Sequence, residues 1–400
     1  MTDKLYYGDS NLMEFESTVE AANKIDRGFE IILKESAFYP DSGGQLHDIG
    51  TLDGQNILDV YEREDCEVVH LAENWKASVG DTVRGIIDRP RRLDNMRQHT
   101  GQHILSRAFI ETAGADTISA HLGEVESSIE LSTKSIDIES LHEAERLANQ
   151  IVLENHPVRI GYFTRDQLKE MPIRKIPELE RKYRIIQVGE FDYTACGGTH
   201  CLSSAEVGLI KIIGLEKLRG HIRVIFLTGL RALEDYVAKH EVVTDLARRF
   251  TCHFTDLENS IIKLTDQNSV LRKEIGAFNK KLMPYEVERL KENGDEVKGV
   301  RIVIQSYDDH DPKDLKELAM EVARAYDSVA ILASRNKLMI SVSEGLPTNA
   351  AKLAKLFMEK FSGKGGGSPA FAQIGGIPFD QREEYLRSLV NLIKEELSGG

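Results

Sequence analysis

The sequence predicts an α+β protein of several domains, and three observations lead to this fold class. Four hundred residues with 41% hydrophobic composition are enough for two or three separate cores. Short β-like runs begin the chain, and a mixture of strands and helices follows them. A heptad-patterned helical segment then precedes a region of alternating strands and helices. We therefore expect four regions, at residues 1–88, 89–228, 229–296 and 297–400.

The first region is predicted to be a small antiparallel β-barrel. Runs such as FEIILKESAFY, NILDVYERE and EVVHLA alternate with turn signals that include DSGG and LDGQ. Within DSGG, the paired glycines Gly43 and Gly44 are most simply explained as a hairpin turn.

The second region is predicted to be an α+β domain built around a helix that Pro90 opens. That helix carries His99 and His103 in the motif HTGQH. A helix places positions i and i+4 on one face with Cβ atoms about 5–6 Å apart, so the two imidazoles can hold one metal ion. Taken alone this is weak evidence, because two histidines on a helix are more often ordinary surface or core residues.

The other half of a metal site is found in TACGGTHC, where Cys196 and His200 lie four positions apart. The two intervening glycines allow the backbone to turn tightly enough for both side chains to converge. One thiolate and three imidazoles form a tetrahedral ligand set that suits Zn²⁺. Cys201 is an alternative ligand, but it lacks the four-residue relation to His200.

The third region contains a heptad seam between Phe250 and Leu282. The a positions are Phe254, Ile261, Asn268, Ile275 and Leu282, and the d positions are Phe250, Leu257, Leu264, Leu271 and Phe278. Ile at a, Leu at d and one Asn at a are typical of two-stranded parallel coiled coils, so we expect a homodimer through residues 250–282. The alternative is a helical hairpin within one chain that buries the same stripe. Pro284 is expected to end the helix.

The fourth region is predicted to be a small α/β domain, because strands such as RIVIQSY and SVAILAS alternate with helices. Its one low-complexity segment, GKGGG, is predicted to be a loop. A flexible linker is the simplest explanation of this loop. It is not a P-loop, because the Lys-Ser/Thr ending and the spacing are wrong.

Charge and composition limit the class of protein. The net charge of −14 argues against a surface that grips nucleic acid everywhere, although six basic residues against two acidic ones lie between Arg84 and Arg107. Four cysteines without a leader or an apolar span favour a reduced, cytoplasmic setting and metal ligation over disulfides.

HTGQHILS and CGGTH, preceded by FYPDSGGQLHDIG, resemble the editing domain of alanyl-tRNA synthetases. They resemble more closely the free-standing alanyl-tRNA editing proteins of the AlaX family. SGKGGGSPAFAQIGG resembles the glycine-rich loop of the C-terminal domain that the synthetases share with DHH phosphoesterases. Together the motifs cover nearly the whole chain with the helical segment between them, which indicates the long AlaX type.

The resemblance implies a zinc-containing deacylase that removes serine or glycine from mischarged tRNA(Ala), with the loop of Gly43 and Gly44 facing the editing pocket. Rejecting alanine calls for a polar partner to the serine hydroxyl. The candidates are Thr100, Gln45, His121, Ser127 and Ser128. Gln45 and His121 are the candidate catalytic residues, although a strand histidine satisfied by a neighbour also explains His121. The tRNA-binding candidates in the C-terminal loop are Lys364, Gly365, Gly366 and Gly367.

Two other functions are open to comparison. A tRNA-binding, dimerising accessory protein would use the same metal only for structure. A full synthetase is not expected, because the editing-like region begins close to Met1 and leaves no room for an adenylate-forming core. We therefore expect no use of ATP.

Overall fold

The computed structural model describes residues 2–64, 66–173, 182–308, 310–334, 336–361, 363–378 and 382–398. The chain forms two compact units, Met1–Arg249 and Phe250–Gly400, each with hydrophobic cores of its own. The division into four regions stays a prediction. Among the residues that the structure describes, no helix has the length and apolarity needed to cross a bilayer.

The first unit contains fifteen strands and four α-helices among its described residues. The strands are β1 Asp3–Lys4, β2 Glu14–Ile25, β3 Gly28–Leu33, β4 Glu35–Ser36, β5 Gly50–Leu52, β6 Gln55–Glu62, β7 Val68–Ala72, β8 Thr82–Ile87, β9 Thr117–Leu122, β10 Ser127–Leu131, β11 Val158–Phe163, β12 Tyr183–Val188, β13 Asp192–Ala195, β14 Ile210–Lys217 and β15 Ile222–Thr228. The helices are α1 Arg89–Ala113, α2 Ile138–Leu153, α3 Arg165–Leu168 and α4 Gly229–Phe250.

The predicted barrel is confirmed. Its six strands close in the order β2-β3-β7-β6-β5-β8, and burial alternates along β8, as expected when one face of each strand lines a core. The core is apolar, with Ile31, Leu33 and Val60 among its fully buried members. His70 lies within the barrel with no exposed surface.

The predicted helix is also confirmed, as α1. Asp88 caps its N-terminus by accepting a hydrogen bond from the Arg91 amide, Pro90 lies in the first turn, and Gly114 ends the helix with φ 59°. Its apolar face joins the core shared with α2 and the four-stranded sheet β14-β15-β10-β9. The approach is close at Gly101, where a Cβ would lie 2.5 Å from Cγ2 of Thr228.

The second unit is a mixed sheet with helices. Its strands are β16 Asp295–Val297, β17 Val300–Tyr307, β18 Ser328–Ser334, β19 Lys337–Val342, β20 Lys364–Gly367 and β21 Phe371–Gly375, in the order β16-β17-β18-β19-β21-β20. Its helices are α5 Leu257–Glu292, α6 Pro312–Tyr326, α7 Ala350–Lys360 and α8 Arg382–Ser398. Only β17 and β18, which α6 connects, pair in parallel among these strands. Short connections such as that from β18 to β19 allow only antiparallel pairing.

The prediction of a loop at GKGGG is wrong. Residues Lys364–Gly367 form the edge strand β20, which pairs with β21. Glycine is needed there because the neighbouring backbone is close. A Cβ on Gly365 would lie 2.0 Å from the Gln373 carbonyl oxygen, and one on Gly367 would lie 2.1 Å from that of Phe371.

The heptad segment differs from the prediction in two ways. The helix is interrupted after Phe250, since Thr251 has φ 53° and α5 begins only at Leu257. Pro284 does not end α5, which continues to Glu292. The residues after Pro284 pack into a core with α6, and Val287 and Leu290 are buried there. This packing offsets the local cost of proline, about 3 kcal/mol in a helix interior.

The seam is largely exposed on the single chain. Of its α5 members, only Leu257 is buried. The exposed large side chains are Ile261, Leu264, Leu271, Ile275, Phe278 and Leu282. Within the unit Phe250–Gly400, the described residues leave this stripe uncovered. The coiled coil between two chains and the hairpin within one chain both stay predictions.

Candidate metal centre

The two halves of the predicted metal site converge. Helix α1 supplies His99 and His103, and the segment after β13 supplies Cys196 and His200. Their ligand atoms all lie within 4.8 Å of one another. The Cys196 Sγ lies 3.3 Å from Nε2 of His99 and 3.3 Å from Nε2 of His200. The three histidine residues are buried, whereas Cys196 is partly buried and its neighbour Gly197 is exposed.

Local sequence explains how the CGGTH segment reaches the helix. A Cβ on Gly198 would lie 2.1 Å from Cε1 of His99, so only glycine fits between the loop and the ring. Arg184 stabilises the backbone of this CGGTH segment. Its Nη1 donates to the carbonyl oxygens of Cys196 and Gly198 at 2.7 and 2.9 Å. The Arg184 guanidinium also lies over the ring of Tyr7.

Each of the three histidines has a polar partner on its outer nitrogen. Nδ1 of His99 lies 2.7 Å from Oε1 of Gln45, and Nδ1 of His200 lies 3.2 Å from Oγ1 of Thr100. Nδ1 of His103 lies 3.4 Å from Oδ2 of Asp192, a fully buried carboxylate. Partners on one imidazole nitrogen orient the ring and fix the tautomer that leaves the other nitrogen as a metal ligand.

Gln45 is held in place by the turn predicted at DSGG. Gly43 and Gly44 have φ values of 58° and 84°, and Ser42 pairs with Gln45 across the turn. A Cβ on Gly44 would lie 2.3 Å from the carbonyl oxygen of Ala120. Glycine is therefore required at position 44, and the left-handed backbone at position 43 favours glycine. The turn brings the buried Gln45 amide to the metal centre rather than leaving it free in solvent.

Both polar atoms of the Gln45 side chain are hydrogen-bonded at this position. Its Nε2 donates to Oγ1 of Thr199 at 2.8 Å. Its Oε1 accepts from the amide of Thr199 at 3.1 Å as well as from His99. Gln45 thus connects the helix half of the site to the CGGTH half.

The electrostatics favour a thiolate at Cys196 and a neutral ring at His200. Burial alone lowers the pKa of His103, but its contacts with Asp192 and Cys196 raise that pKa overall. Burial by itself raises the pKa of the Cys196 thiol, but the rings of His99 and His200 hold that pKa well below its usual value. Burial lowers the pKa of His200 to about 3. A thiolate and neutral imidazoles are the forms that coordinate zinc.

The residues present fit a zinc ion. In a tetrahedral site, Zn–S bonds of about 2.3 Å and Zn–N bonds of about 2.0–2.1 Å place sulfur and nitrogen about 3.6 Å apart. The observed separations of 3.3 Å are within a few tenths of an ångström of that value. The donor set and the three outer partners therefore have both the chemistry and the spacing of a zinc site.

Two of the predicted substrate-binding residues are fully buried. Thr100 has no exposed surface, and its Oγ1 accepts from the Cys201 amide at 3.0 Å in addition to contacting His200. Ser127 is equally buried and donates to Oε1 of Gln98 at 3.4 Å. Neither hydroxyl faces open space, so the contact expected between them and a serine substrate has no support in this arrangement.

His121 and Ser128 lie elsewhere. They pair across strands β9 and β10 and line a cavity of about 240 Å³. The other residues around this cavity are Ser119, Glu126, Glu130, Glu216, Arg223 and Ile225. None of the four His and Cys side chains lines this cavity.

The tRNA-binding candidates Lys364, Gly365, Gly366 and Gly367 are all exposed on β20. Strand β20 is at the edge of its sheet, which leaves one side of its backbone without a strand partner among the described residues.

Sequence reasoning missed three residues that support the metal centre: Asp192, Thr199 and Arg184. A weak signal was present for Asp192, which stands four positions before Cys196. Thr199 lies inside the CGGTH motif itself. No local pattern marks Arg184, because its contacts are to backbone carbonyls.

Comparisons with known proteins agree with this arrangement. The family model described as "Threonyl and Alanyl tRNA synthetase second additional domain" matches residues 183–225, which include Cys196 and His200. The DHHA1 domain model matches residues 299–399.

Similar proteins are of two kinds. The chain is 31% identical to an alanine–tRNA ligase of Thermofilum pendens, over 92% of this chain and 41% of the ligase. It is 29% identical to the alanine–tRNA ligase of Archaeoglobus fulgidus, over 98% of this chain and 44% of that protein. The chain thus spans less than half the length of these ligases. It is 28% identical to the alanyl-tRNA editing protein AlaX-L of Pyrococcus horikoshii, over 97% of this chain and 99% of that protein.

The two domain matches lie in the order expected of a long AlaX protein, and the similarity to AlaX-L extends over almost the whole of both chains. These findings confirm the resemblance of this chain to the long-type AlaX alanyl-tRNA editing proteins.

Proposed function

We propose that this protein is a zinc-dependent deacylase that acts in trans on mischarged tRNA(Ala), releasing serine or glycine from the 3′ end. The observation that carries the proposal is the orientation of the three histidines. Each has a polar partner at Nδ1, and the cluster converges on the Cys196 sulfur. The similarity to an alanyl-tRNA editing protein supports the substrate class.

The bound Zn²⁺ would supply a Lewis acid for the ester carbonyl. The chain's own residues prepare the place for it. Gln45 and Thr199 fix His99, while Asp192 and Thr100 support the other two rings. In this arrangement Gln45 is a positioning residue, since its side chain is buried and hydrogen-bonded to His99 and Thr199. The substrate would enter beside Cys196 and the exposed Gly197, where the cluster is least covered.

Selectivity against alanine is proposed to come from a polar group that a serine hydroxyl satisfies and a methyl group leaves unpaired. Such a difference is worth about 1–3 kcal/mol. The proposed role of His121 and Ser128 is contact with the RNA end or the amino acid from their own cavity. The exposed Lys364 and the edge of β20 are proposed to bind tRNA phosphate.

The accessory-protein alternative also has an observation in its favour. His99, His103 and His200 are each 3% exposed or less, and four protein ligands make a closed shell of the kind seen in structural zinc sites. A deacylase with this shell needs a fifth coordination position or the displacement of one ligand.

A paired hydrolysis assay separates the two functions. Zinc-loaded protein is incubated with Ser-tRNA(Ala), Gly-tRNA(Ala) and Ala-tRNA(Ala). The proposal predicts loss of the seryl or glycyl ester while the alanyl ester persists. If both mischarged pools persist with zinc bound, the accessory function remains and the deacylase is excluded.

We further propose that a second copy of this chain covers the seam, making a parallel homodimer. The exposed Ile and Leu positions and the single Asn268 have the pattern of a two-stranded coiled coil. Asn268→Leu is expected to change the oligomeric state or register, as measured by light scattering. An unaltered monomer for both wild type and variant would contradict the dimer.

A further inference from the structure

Arg92 is a charged side chain with no exposed surface, and so is its partner Asp48. The Arg92 Nε lies 3.0 Å from each Asp48 carboxylate oxygen, and Nη2 also donates to Asp48. A buried ion pair is frequently no more stabilising than apolar side chains of similar volume. Stability alone is therefore a weak explanation for placing this pair beside a metal centre.

One set of contacts leads from Arg92 to His99. Asp48 also accepts a hydrogen bond from the Tyr39 amide at 2.6 Å, so the carboxylate closes the segment from 39 to 48 on itself. Gln45 lies inside this segment and contacts Nδ1 of His99. Fixing Asp48 therefore fixes the base of the loop that orients the His99 ring.

A second set leads to His200. Arg92 Nη1 donates to the backbone carbonyl of Ser10 at 2.8 Å. The hydroxyl of Ser10 accepts from the His200 amide at 3.3 Å. The remaining contact of the Arg92 guanidinium is from Nη2 to the Ala37 carbonyl at 2.5 Å. It connects Arg92 to the backbone just before the 39–48 segment that carries Gln45.

The third connection is the helix itself. Arg92 lies on α1 about two turns before His99 and about three turns before His103, which places the three side chains on one face. The planar fork of arginine can reach several acceptors at once, which a lysine ammonium on its single stem does less well. Arg92 thus connects helix α1 with the segment from residue 37 to residue 48, which carries Gln45, and with the backbone at Ser10.

We propose that Arg92, acting with Asp48, is a positioning residue of the metal centre, which sets the relative placement of the two ligand pairs without touching the metal. This inference rests on the proposed function insofar as it takes the cluster to be a zinc site. It predicts that the Arg92–Asp48 pair controls metal affinity separately from fold stability.

The test compares two double variants of the full-length protein. Arg92→Met with Asp48→Leu removes both buried charges, so that neither is left unpaired. Arg231→Met with Asp94→Leu is the matched control. Arg231 also forms an ion pair with a residue of α1, since its Nε donates to Oδ2 of Asp94 at 2.8 Å. Neither side chain forms a hydrogen bond or an ion pair with any of the four metal ligands or their outer partners. Zinc affinity is measured by chelator competition, the site geometry by the absorption spectrum of the Co²⁺-substituted protein, and stability by denaturant unfolding.

The Arg92/Asp48 variant also loses the partners of the Tyr39 amide and of the Ser10 and Ala37 carbonyls, so it is expected to unfold at a lower denaturant concentration than wild type. Below its unfolding transition it is expected to bind zinc about 10–100-fold more weakly, the range for loss of a supporting interaction. Its Co²⁺ spectrum is expected to change, and the Arg231/Asp94 variant is expected to match wild type in affinity and spectrum. If the double variant does not fold, Arg92→Lys replaces it, with the same expected weakening of zinc binding.

Wild-type affinity and spectrum in a folded Arg92 variant would overturn the proposal and leave the proposed function intact. Absence of zinc binding by wild type would instead overturn the proposed function, and this inference with it.

Discussion

His70 in the barrel and the three histidines of the metal centre are all buried, but they use their nitrogens differently. Nδ1 of His70 donates to the Ile31 carbonyl at 3.1 Å, and Nε2 lies 2.7 Å from the Ser36 hydroxyl. Protein groups therefore satisfy both nitrogens. In the metal centre, only Nδ1 of each ring faces an outer protein partner, and Nε2 of His99 and of His200 faces the cysteine sulfur.

The partners of the two ring nitrogens therefore distinguish a structural histidine from a metal ligand when both are equally buried. When both ring nitrogens are hydrogen-bonded to protein groups, the imidazole has no free lone pair with which to bind a metal. A ring with one oriented nitrogen and its other nitrogen facing further ligands is prepared for one. Residue type and exposure alone would have grouped the four histidines together.

The largest expected effect comes from removing the sulfur. Cys196→Ala leaves three imidazoles without their thiolate, and we expect zinc affinity to fall by at least about 1000-fold, with deacylation lost. Zinc content by atomic absorption and the hydrolysis assay measure both. Cys201→Ala is the matched control, since the Cys201 thiol is buried in the apolar core and its pKa is raised to about 12 by burial. Full zinc content in the Cys196 variant would remove that residue from the site.

The next effect concerns the barrel. Burial lowers the pKa of His70 to about 4, whereas an unfolded histidine titrates near 6.5. The folded state therefore prefers the neutral ring, and this contribution is complete above about pH 6.5 and is lost as the pH falls to about 4. The loss amounts to about 3 kcal/mol of unfolding free energy.

Fluorescence of Trp75, the single tryptophan, reports on barrel unfolding because its side chain packs against the barrel core. His70→Gln keeps a donor and an acceptor but does not titrate, so its stability is expected to decline less than that of wild type across the same window. Parallel pH curves for the two proteins would show that His70 does not contribute.

A smaller effect is expected when the outer partner of one ring is weakened. Asp192→Asn keeps the shape of the side chain next to His103 but removes its charge, and the loss in zinc affinity is expected to be about 10-fold. Asp166→Asn, at an exposed surface carboxylate, serves as the control. Equal affinities in wild type and the Asp192 variant would mean that this carboxylate does not act on the ring.

The features of the fold and of the metal centre that depend on local sequence could be predicted from the sequence. The i, i+4 spacing of His99 and His103 depends only on helix geometry, and the turn at Gly43 and Gly44 depends on positive φ. The supporting contacts of Asp192 and Arg92 could not be predicted, because they join segments that are distant in the chain. The same is true of Thr100 and Ser127, whose burial depends on how α1 packs.

The remaining differences arose where packing overrides a local rule. Pro284 was expected to end a helix, yet the apolar contacts of Val287 and Leu290 continue it. The glycines of GKGGG indicated a loop, but the same lack of side chains lets Gly365 and Gly367 lie against a neighbouring strand. In both cases the sequence shows the local preference but not the partner that outweighs it.

X-ray absorption spectroscopy at the zinc edge tests the central claim most directly. The account predicts one zinc per chain, with one sulfur at about 2.3 Å and three imidazole nitrogens at about 2.0–2.1 Å. A stoichiometric zinc shell with no sulfur, or with two sulfurs, would contradict the convergence of His99, His103, Cys196 and His200 on a single ion.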